Sequence, residues 1–541
     1  MTGLRKFLLS PERNGMAGLI FFGWPGSIAF ILGGLLVSFL LCGYWYPYWR
    51  IADMDIMMGY QGFLVNAGFA QDFFDHPGYL SVVLTADWFA LLHRLGLLDV
   101  ASLAQMPKAD DAAAFNAVWT QAIRAGRVLS LLVTSTFIVA FALLLRRLIR
   151  DWQISVLAVF CLTFSGGLMM NARNFRTDTL AAALVTCGFM ILLIAARAPR
   201  SPWRPLWIGL AAALCTLGVV NKVQALFLVM ALLPVIPFFG MPSGPDGFWR
   251  SRKAIVALLA LAVFAGVLAY LASDMIALGL SGAGVSMPPP FGVRGLYQGL
   301  IAALVAIVMA VFARLWRVPI LEAAGAMIAV AAGILLGLLS LKLLYHPQNV
   351  TIVFNPIEHM FGWARGSDPA LGKSGAILSG QLAYALAMGV LEQLARLTFV
   401  LHSSPRPTIF LEWLVIAGAV LAWRRGQHHL AWQVAALLAA ASAVDVVGTL
   451  RGLKLEYFVF TDPLVVIAAA WLLMHMPDLK THRWAYAATF ALLAAHVAVS
   501  QAEPVKHVFK GDSGQVECGW LPHYASRIER FPFCPPRPPV K

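Results

Sequence analysis

The feature that most constrains this chain is a series of long apolar segments that recurs from one end to the other. Examples begin at Trp24 (WPGSIAFILGGLLVSFLLCGYW), at Val128 and at Ala254. About 20 apolar helical residues cross the hydrocarbon core of a bilayer, so segments of this kind are long enough to span it. Only 12% of the residues are charged and 60% are hydrophobic, whereas a soluble domain has about 25% charged residues. We therefore predict an all-α polytopic membrane protein.

The apolar segments predict about 13 transmembrane helices. The first segment is too long for a secretory signal peptide and no convincing cleavage site follows it, so we expect it to be a span. The spans are expected near residues 24–46, 128–145, 154–171, 179–196, 206–220, 223–240, 254–278, 296–313, 320–341, 408–423, 430–450, 462–476 and 484–500. Residues 1–500 would then form a transmembrane domain, followed by a Pro-rich tail over 501–541.

Basic residues orient these spans. Lys and Arg are dense in the short connections and sparse in the long ones, and the dense side of a membrane protein is normally cytoplasmic. Of the 26 acids, 21 then lie outside, and the five inside are Glu12, Asp151, Asp246, Glu322 and Asp478. We expect a bacterial-type inner-membrane protein with a cytoplasmic N-terminus and a periplasmic C-terminus. Contact with anionic membrane lipid explains the net charge of +14, and no nucleic-acid partner is needed.

Two outer loops, residues 47–127 and 342–408, are much longer than the other connections, and long loops without a fold of their own are usually functional. In the first loop, small and polar residues share one helical face, at Asp55, Gly59, Gly62 and Asn66. This pattern predicts an amphipathic helix resting on the membrane. The apolar stretch near 376–401 in the second loop could cross the bilayer, but crossing would invert every later connection. We therefore predict a second amphipathic helix on the outer surface.

The stretch from Asp53 to Leu80, DMDIMMGYQGFLVNAGFAQDFFDHPGYL, is rich in polar chemistry for so apolar a chain. A single Asp at a helix start is explained by the helix dipole alone. Here the pair Asp53 and Asp55 is followed in the same loop by Asp75 and His76, which points to a functional site.

This series resembles the beginning of the GT-C membrane glycosyltransferases, a class that includes the protein O-mannosyltransferases and the lipid A aminoarabinose transferase. Those proteins have one span, then an acidic pair at the head of a long outer loop, then a short motif before an interfacial helix. The segments ADMD, NAGF and FFDHPGYLSVVLTADWFALLHRLG are similar to that series. HPGY stands where the family usually has two prolines. Later segments that resemble the family are AIRAGRVLS, MMNARNFRTDTL, VVNKVQALF and GLKLEYFVFTDP, within roughly residues 20–480.

The resemblance implies a glycosyltransferase (EC 2.4 type) that moves a sugar from a polyprenyl-phosphate donor to a lipid or glycan acceptor by an inverting mechanism. The acceptor hydroxyl needs a carboxylate to take its proton, and Asp53 and Asp55 are the catalytic candidates. Contacts to the donor, the acceptor or a divalent metal are expected from Asp75, His76, Glu358 and His359. Whether a metal takes part stays open.

The phosphate of the donor leaves as an anion, so cations at outer span ends are candidates to bind it. They are Arg127 or its neighbour Arg124, Arg173, Arg176, Lys222, and Lys454 with Tyr457. For several of these cations a purely structural role is the alternative to phosphate binding. Arg176 can pair with Asp178 at a helix start, and Lys454 can extend along a span end toward the interface.

Two further questions remain open at this level. Cys518 and Cys534 lie in the tail predicted to be outside, where a disulfide can form, but free thiols fit the sequence equally well. A multi-span transporter or flippase for a lipid-linked or anionic substrate is the alternative function. Such a protein would place ionisable groups near mid-membrane, often in repeated halves, whereas most acids here fall at outer ends or in loops and no convincing internal repeat is found.

Overall fold

A computed structural model describes most of the chain. The described residues are 23–50, 52–74, 78–198, 201–242, 248–281, 296–344, 346–354, 356, 380–398, 406–449, 452–476, 485–509, 518–519 and 521–534. Within these residues all regular structure is helical and no strand occurs. Seven helices are long and apolar enough to cross a membrane, or eight if one bent pair counts as a single span. The predicted all-α class is confirmed, and the apolar helices support the prediction of a membrane-embedded protein.

The described α-helices are numbered here in chain order. They are α1 (Trp24–Phe39), α2 (Met57–Asn66), α3 (Tyr79–Arg94), α4 (Ala112–Leu148), α5 (Trp152–Thr163), α6 (Gly166–Arg173), α7 (Asp178–Ala196), α8 (Arg204–Asn221), α9 (Ala225–Leu232), α10 (Arg252–Leu271), α11 (Ser273–Ser281), α12 (Leu296–Leu315), α13 (Ile320–Leu339), α14 (Pro347–Phe354), α15 (Gly380–Arg396), α16 (Ile409–Arg424), α17 (His428–Thr449), α18 (Asp462–His475), α19 (Ala485–Phe509) and α20 (Leu521–Tyr524).

Helical structure occurs at every predicted span, but not always as one helix. The segment predicted over 223–240 divides into the short α9 and a 3₁₀ turn, Ile236–Phe239. The segment predicted over 154–171 is the bent pair α5 and α6, whose axes meet at 58°. The count of 13 crossings therefore remains a prediction.

Helix α4 is the longest described element. Its 37 residues extend about 55 Å at 1.5 Å per residue, well beyond the roughly 30 Å of a bilayer core. The side chain of Asp111 accepts the Ala114 N–H at its start, and Arg146 and Arg147 occupy its last turn. If these arginines lie at one interface, the first part of α4 extends past the other, and Arg127 lies near that boundary.

Helices α8 and α13 pack closely because glycines face each other across the contact. A Cβ on Gly333 would lie 2.1 Å from the Gly209 carbonyl oxygen, so only glycine fits there. Small residues that let backbones approach are the usual means of packing helices in lipid. At the N-terminal ends of the same two helices, buried Arg204 donates from Nε to Glu322 Oε1 at 2.5 Å.

The prediction that α2 rests on the membrane is wrong in one respect. The helix is present, but Met57–Leu64 are all buried, so both of its sides are covered by protein. A Cβ on Gly59 would meet the Ile123 and Trp119 side chains of α4, and one on Gly62 would meet Thr85 and Phe89 of α3. The small face is thus a helix-packing surface, and the partners that cover it are distant in sequence.

Candidate functional site

Asp55 lies in a π-helical turn, Ala52–Ile56, that connects the end of α1 to α2. Its side chain is fully buried. Arg127 of α4 donates to Oδ2 from Nε at 2.9 Å and from Nη2 at 2.6 Å, and the Phe175 N–H donates to Oδ1 at 2.7 Å. Burial raises the pKa of Asp55, while the charge of Arg127 and the Phe175 N–H oppose that shift. Both oxygens of this carboxylate are engaged within the protein.

Arg127 connects three segments of chain. Besides Asp55, its Nη1 donates to the carbonyl oxygens of Gly43 at 2.9 Å and Tyr46 at 2.5 Å. The guanidinium is fully buried. The end of the first span, the acidic turn and α4 are therefore joined at one cation.

A second ionic group forms where α7 begins and α8 ends. Asp178 pairs with Lys222 and with Arg176, whose Nε lies 3.3 Å from Asp178 Oδ2. Arg176 Nη1 also lies 3.4 Å from Glu456 Oε1, and the Lys222 ammonium lies 5.6 Å from the centre of the Tyr457 ring. The predicted pairing of Arg176 with Asp178 is present, but Lys222 and Glu456 join it.

The two ionic groups share one short turn. Phe175 supplies the N–H to Asp55, and the next residue, Arg176, contacts Asp178 and Glu456. Carboxylates and cations from five distant parts of the sequence are thus brought together. Asp55, Arg176 and Lys222, three of the candidate site residues, lie in this region.

Asn221, next to Lys222, ties α3 to this group. Its Oδ1 accepts the Ser81 N–H at 2.9 Å, its carbonyl oxygen accepts the Gly78 N–H at 2.8 Å, and its Nδ2 donates to the Thr177 carbonyl at 2.9 Å. Gly78 directly follows residues 75–77. Asp75 and His76 lie outside the described residues, as do Glu358 and His359, and the side chain of Asp53 is likewise not described.

Arg173 is the exception among the candidate cations. It is 5% exposed and donates from Nη2 to Ser38 Oγ at 2.5 Å and to Gln501 Oε1 at 2.9 Å. Its Nε and Nη1 are buried and have no hydrogen-bond partner among the described residues. No described carboxylate lies within ion-pair distance of it. Lys454, by contrast, is exposed and does not join either ionic group.

Two cavities adjoin the ionic groups. One, of about 20 Å³, lies between α3, α4 and α7 and is lined by Ser81, Ser130, Phe175 and Arg176 among others. The other, of about 60 Å³, is mainly apolar and lies between α9, α17 and the 3₁₀ turn Leu455–Phe460; Tyr457 lines it. Ligand pockets usually enclose about 300–1,000 Å³, so the apolar cavity has room for only a small part of a larger molecule.

Sequence reasoning missed a third buried ionic group. Arg406 Nη1 lies 2.8 Å from Glu412 Oε1 and 2.6 Å from Asp445 Oδ2, and its Nε lies 3.8 Å from Asp462 Oδ1. These residues join the starts of α16 and α18 to the end of α17. Their signal was present in the sequence, because acids in apolar helices are costly and need partners.

The described residues contain no group of three His, Cys, Asp or Glu side chains that could hold a metal ion. Cys518 and Cys534 form a disulfide. Comparison with protein-family models, with curated proteins and with solved structures finds no match to this chain.

Proposed function

We propose that this protein is a GT-C-type membrane glycosyltransferase with 13 spans. It would transfer a sugar from a polyprenyl-phosphate donor to a lipid or glycan acceptor at the outer face of a bacterial inner membrane. The observation that carries the proposal is the convergence of Asp55, Arg176 and Lys222 around one short turn. These residues come from the first loop, the α6–α7 turn and the end of α8, which are three of the segments that resemble the family. Tyr457, whose ring centre lies 5.6 Å from the Lys222 ammonium, lines the apolar cavity nearby.

The reaction would be a single displacement at the anomeric carbon. The acceptor oxygen forms a bond to that carbon as the bond to the phosphate oxygen breaks, and a carboxylate takes the acceptor proton. Asp55 has both oxygens engaged by Arg127 and Phe175. Asp53, in the same π-helical turn, is therefore the stronger candidate for the base, and Asp55 the residue that holds the turn.

The departing phosphate needs positive charge. Arg176 and Lys222 already pair with Asp178 and Glu456, so a phosphate would share or displace these carboxylates. Arg173 lies three residues before Arg176 and has unpartnered N–H groups among the described residues. We propose that Arg173 supplies the uncompensated charge that attracts the donor.

The proposal is tested with the full chain in lipid nanodiscs and labelled polyprenyl-phosphate sugars. Asp53→Asn should lower transfer by at least about 100-fold and leave the unfolding temperature unchanged. Asp55→Asn should lower both transfer and stability, because it leaves Arg127 buried and unpaired. Asp87→Asn, at an exposed position of α3, is the matched control and should behave as wild type.

Transfer by Asp53→Asn at the wild-type rate would overturn the assignment of Asp53 as the base, and wild-type transfer by Asp55→Asn as well would remove both candidates. Movement of the donor across proteoliposome membranes without any glycosylated product would instead favour the transporter alternative.

A further inference from the structure

We propose that the disulfide-closed tail segment, residues 518–534, is a positioning element for the acidic part of the first outer loop. Its catalytic consequence rests on the proposed function, but its structural part does not. The segment named the tail loop below is described at residues 518–519 and 521–534 and contains α20. These residues lie against described residues between 48 and 73 and against the start of α4.

The first contact is a hydrogen-bond network centred on Asp72. Ser526 Oγ of the tail loop donates to Asp72 Oδ2 at 2.5 Å, Tyr60 OH donates to the same oxygen at 2.8 Å, and Gln61 Nε2 donates to Oδ1 at 2.6 Å. The Arg527 N–H donates to Tyr60 OH at 3.2 Å. Burial raises the pKa of Tyr60 to about 12, so the phenol remains a donor. The tail loop is therefore part of the hydrogen-bond network that joins α2 to the segment after it.

The second contact involves the aromatic rings at the two ends of residues 69–73. The Arg527 guanidinium lies 4.0 Å from the centre of the Phe69 ring, a cation–π distance. The Phe73 and Tyr524 ring centres are 5.5 Å apart. Residues 69–73 are therefore held at both ends by tail-loop side chains.

The third contact is apolar and lies behind α2. Phe531 lies 5.6 Å, between ring centres, from both Phe115 and Trp119 of α4, and Trp119 contacts Gly59 of α2. Leu521 and Ala525 are buried in the same core as Met54 and Ile56, which flank Asp55. The tail loop thus packs against the turn that carries the acidic pair.

The disulfide makes docking of the tail loop more favourable. The only described regular element of the tail loop is the four-residue α20, too short to hold itself in place. Bonding Cys518 to Cys534 restricts the free segment before it docks, and so lowers the entropy lost on docking. The cross-link should therefore decide how firmly the acidic turn is held.

The structural part is tested by hydrogen–deuterium exchange on the full chain in nanodiscs. In Cys518→Ser/Cys534→Ser, amides of residues 52–74 should exchange about tenfold faster, with α7 and α8 unchanged. Ser526→Ala should make the same amides exchange about fivefold faster. Ser526→Thr keeps the hydroxyl and should restore slow exchange, and Glu529→Gln, at an exposed position of the same segment, should match wild type. Unchanged exchange over 52–74, or an equal increase in α7 and α8, would overturn the proposal.

The catalytic part is read from steady-state kinetics of the same variants. Ser526→Ala should lower kcat about fivefold and leave the donor KM unchanged, because the tail loop orients the acidic turn and does not bind donor. A higher donor KM with unchanged kcat would contradict a positioning role. If the wild type transfers no sugar, the proposed function fails while the exchange experiment still decides the structural part.

Discussion

The buried arginines of this protein differ in whether a carboxylate neutralises their charge. Arg204 is neutralised by Glu322, and Arg127 by Asp55. Arg173 is almost as buried but bonds only to neutral oxygens among the described residues. A buried charge without a counter-charge is costly. The anionic donor proposed above would supply the counter-charge that the described residues around Arg173 do not provide.

We predict that only the arginine paired with a carboxylate is needed for stability. Arg173→Met should leave the unfolding temperature unchanged or raise it, because no carboxylate among the described residues loses its partner. Arg204→Met should destabilise by about 3 kcal/mol, because Glu322 remains buried and unpaired. Thermal unfolding in one detergent measures both.

Donor binding gives the second readout of the same pair. Arg173→Met should raise the donor KM by about tenfold, as expected for loss of a charged hydrogen-bond partner, while a folded sample of Arg204→Met should retain wild-type KM. A large loss of stability in Arg173→Met with unchanged KM would show that the residue is structural.

At the level of elements, the bend between α5 and α6 brings the candidate site together. Ser165 Oγ accepts the Leu168 N–H and caps α6, and α6 then packs against the 3₁₀ turn that carries Glu456 and Tyr457. Gly167 makes that approach close. A Cβ there would lie 2.6 Å from Val459 N, a backbone atom that cannot rotate away.

Gly167→Ala should therefore destabilise by about 1–3 kcal/mol, the usual cost of overpacking. Gly266→Ala is the matched control, because it also lies in an apolar helix, α10, but a Cβ there meets nothing within 4 Å. It should be neutral or slightly stabilising, since alanine favours helix. Equal effects of the two substitutions in thermal unfolding would contradict this account of the bend.

The elements also show how far sequence can go. Apolar runs identify where helices lie, because the bilayer requirement is local. The extension of α4 to Ala112, the division of residues 223–240 and the burial of α2 were not predictable in the same way. Each depends on a partner distant in the chain, as α2 does on the tail loop and on Trp119. The same limit applies to the ionic groups. Single charged residues can be identified in the sequence, but the roles of Glu456 and Arg406 follow only from the side chains that lie beside them in the structure.

At the scale of the whole molecule, residues predicted to lie on the same side of the membrane are close together in the structure. Three contacts join ends expected to be cytoplasmic. Arg197 lies 4.5 Å from the centre of the Trp471 ring, Gln433 donates to the Phe238 carbonyl at 2.9 Å, and Trp316 donates to the Pro237 carbonyl at 3.2 Å. The ends expected to be outside meet instead at Asp55, Asp178 and Arg406.

The tail loop extends this argument to the number of crossings. Because it packs on the first outer loop, both must lie on the same side of the membrane. The first outer loop follows α1, so the chain from the start of α1 to the tail loop crosses an odd number of times. Seven crossings and 13 crossings both satisfy this condition, whereas eight do not. The proposed count of 13 would need shorter apolar helices, such as α12, α18 and α19, to be spans as well.

Accessibility of introduced thiols tests this arrangement directly. Asp110→Cys in the first loop and Glu529→Cys in the tail loop, both at exposed positions, should react with a membrane-impermeant maleimide added to sealed cells. Gln427→Cys, exposed between α16 and α17, should react only after the cells are opened. The native free thiols are buried or half-buried, so wild type supplies the background. Labelling of Gln427→Cys in sealed cells, or protection of Glu529→Cys there, would invert part of the topology and separate the tail loop from the acidic turn that it contacts.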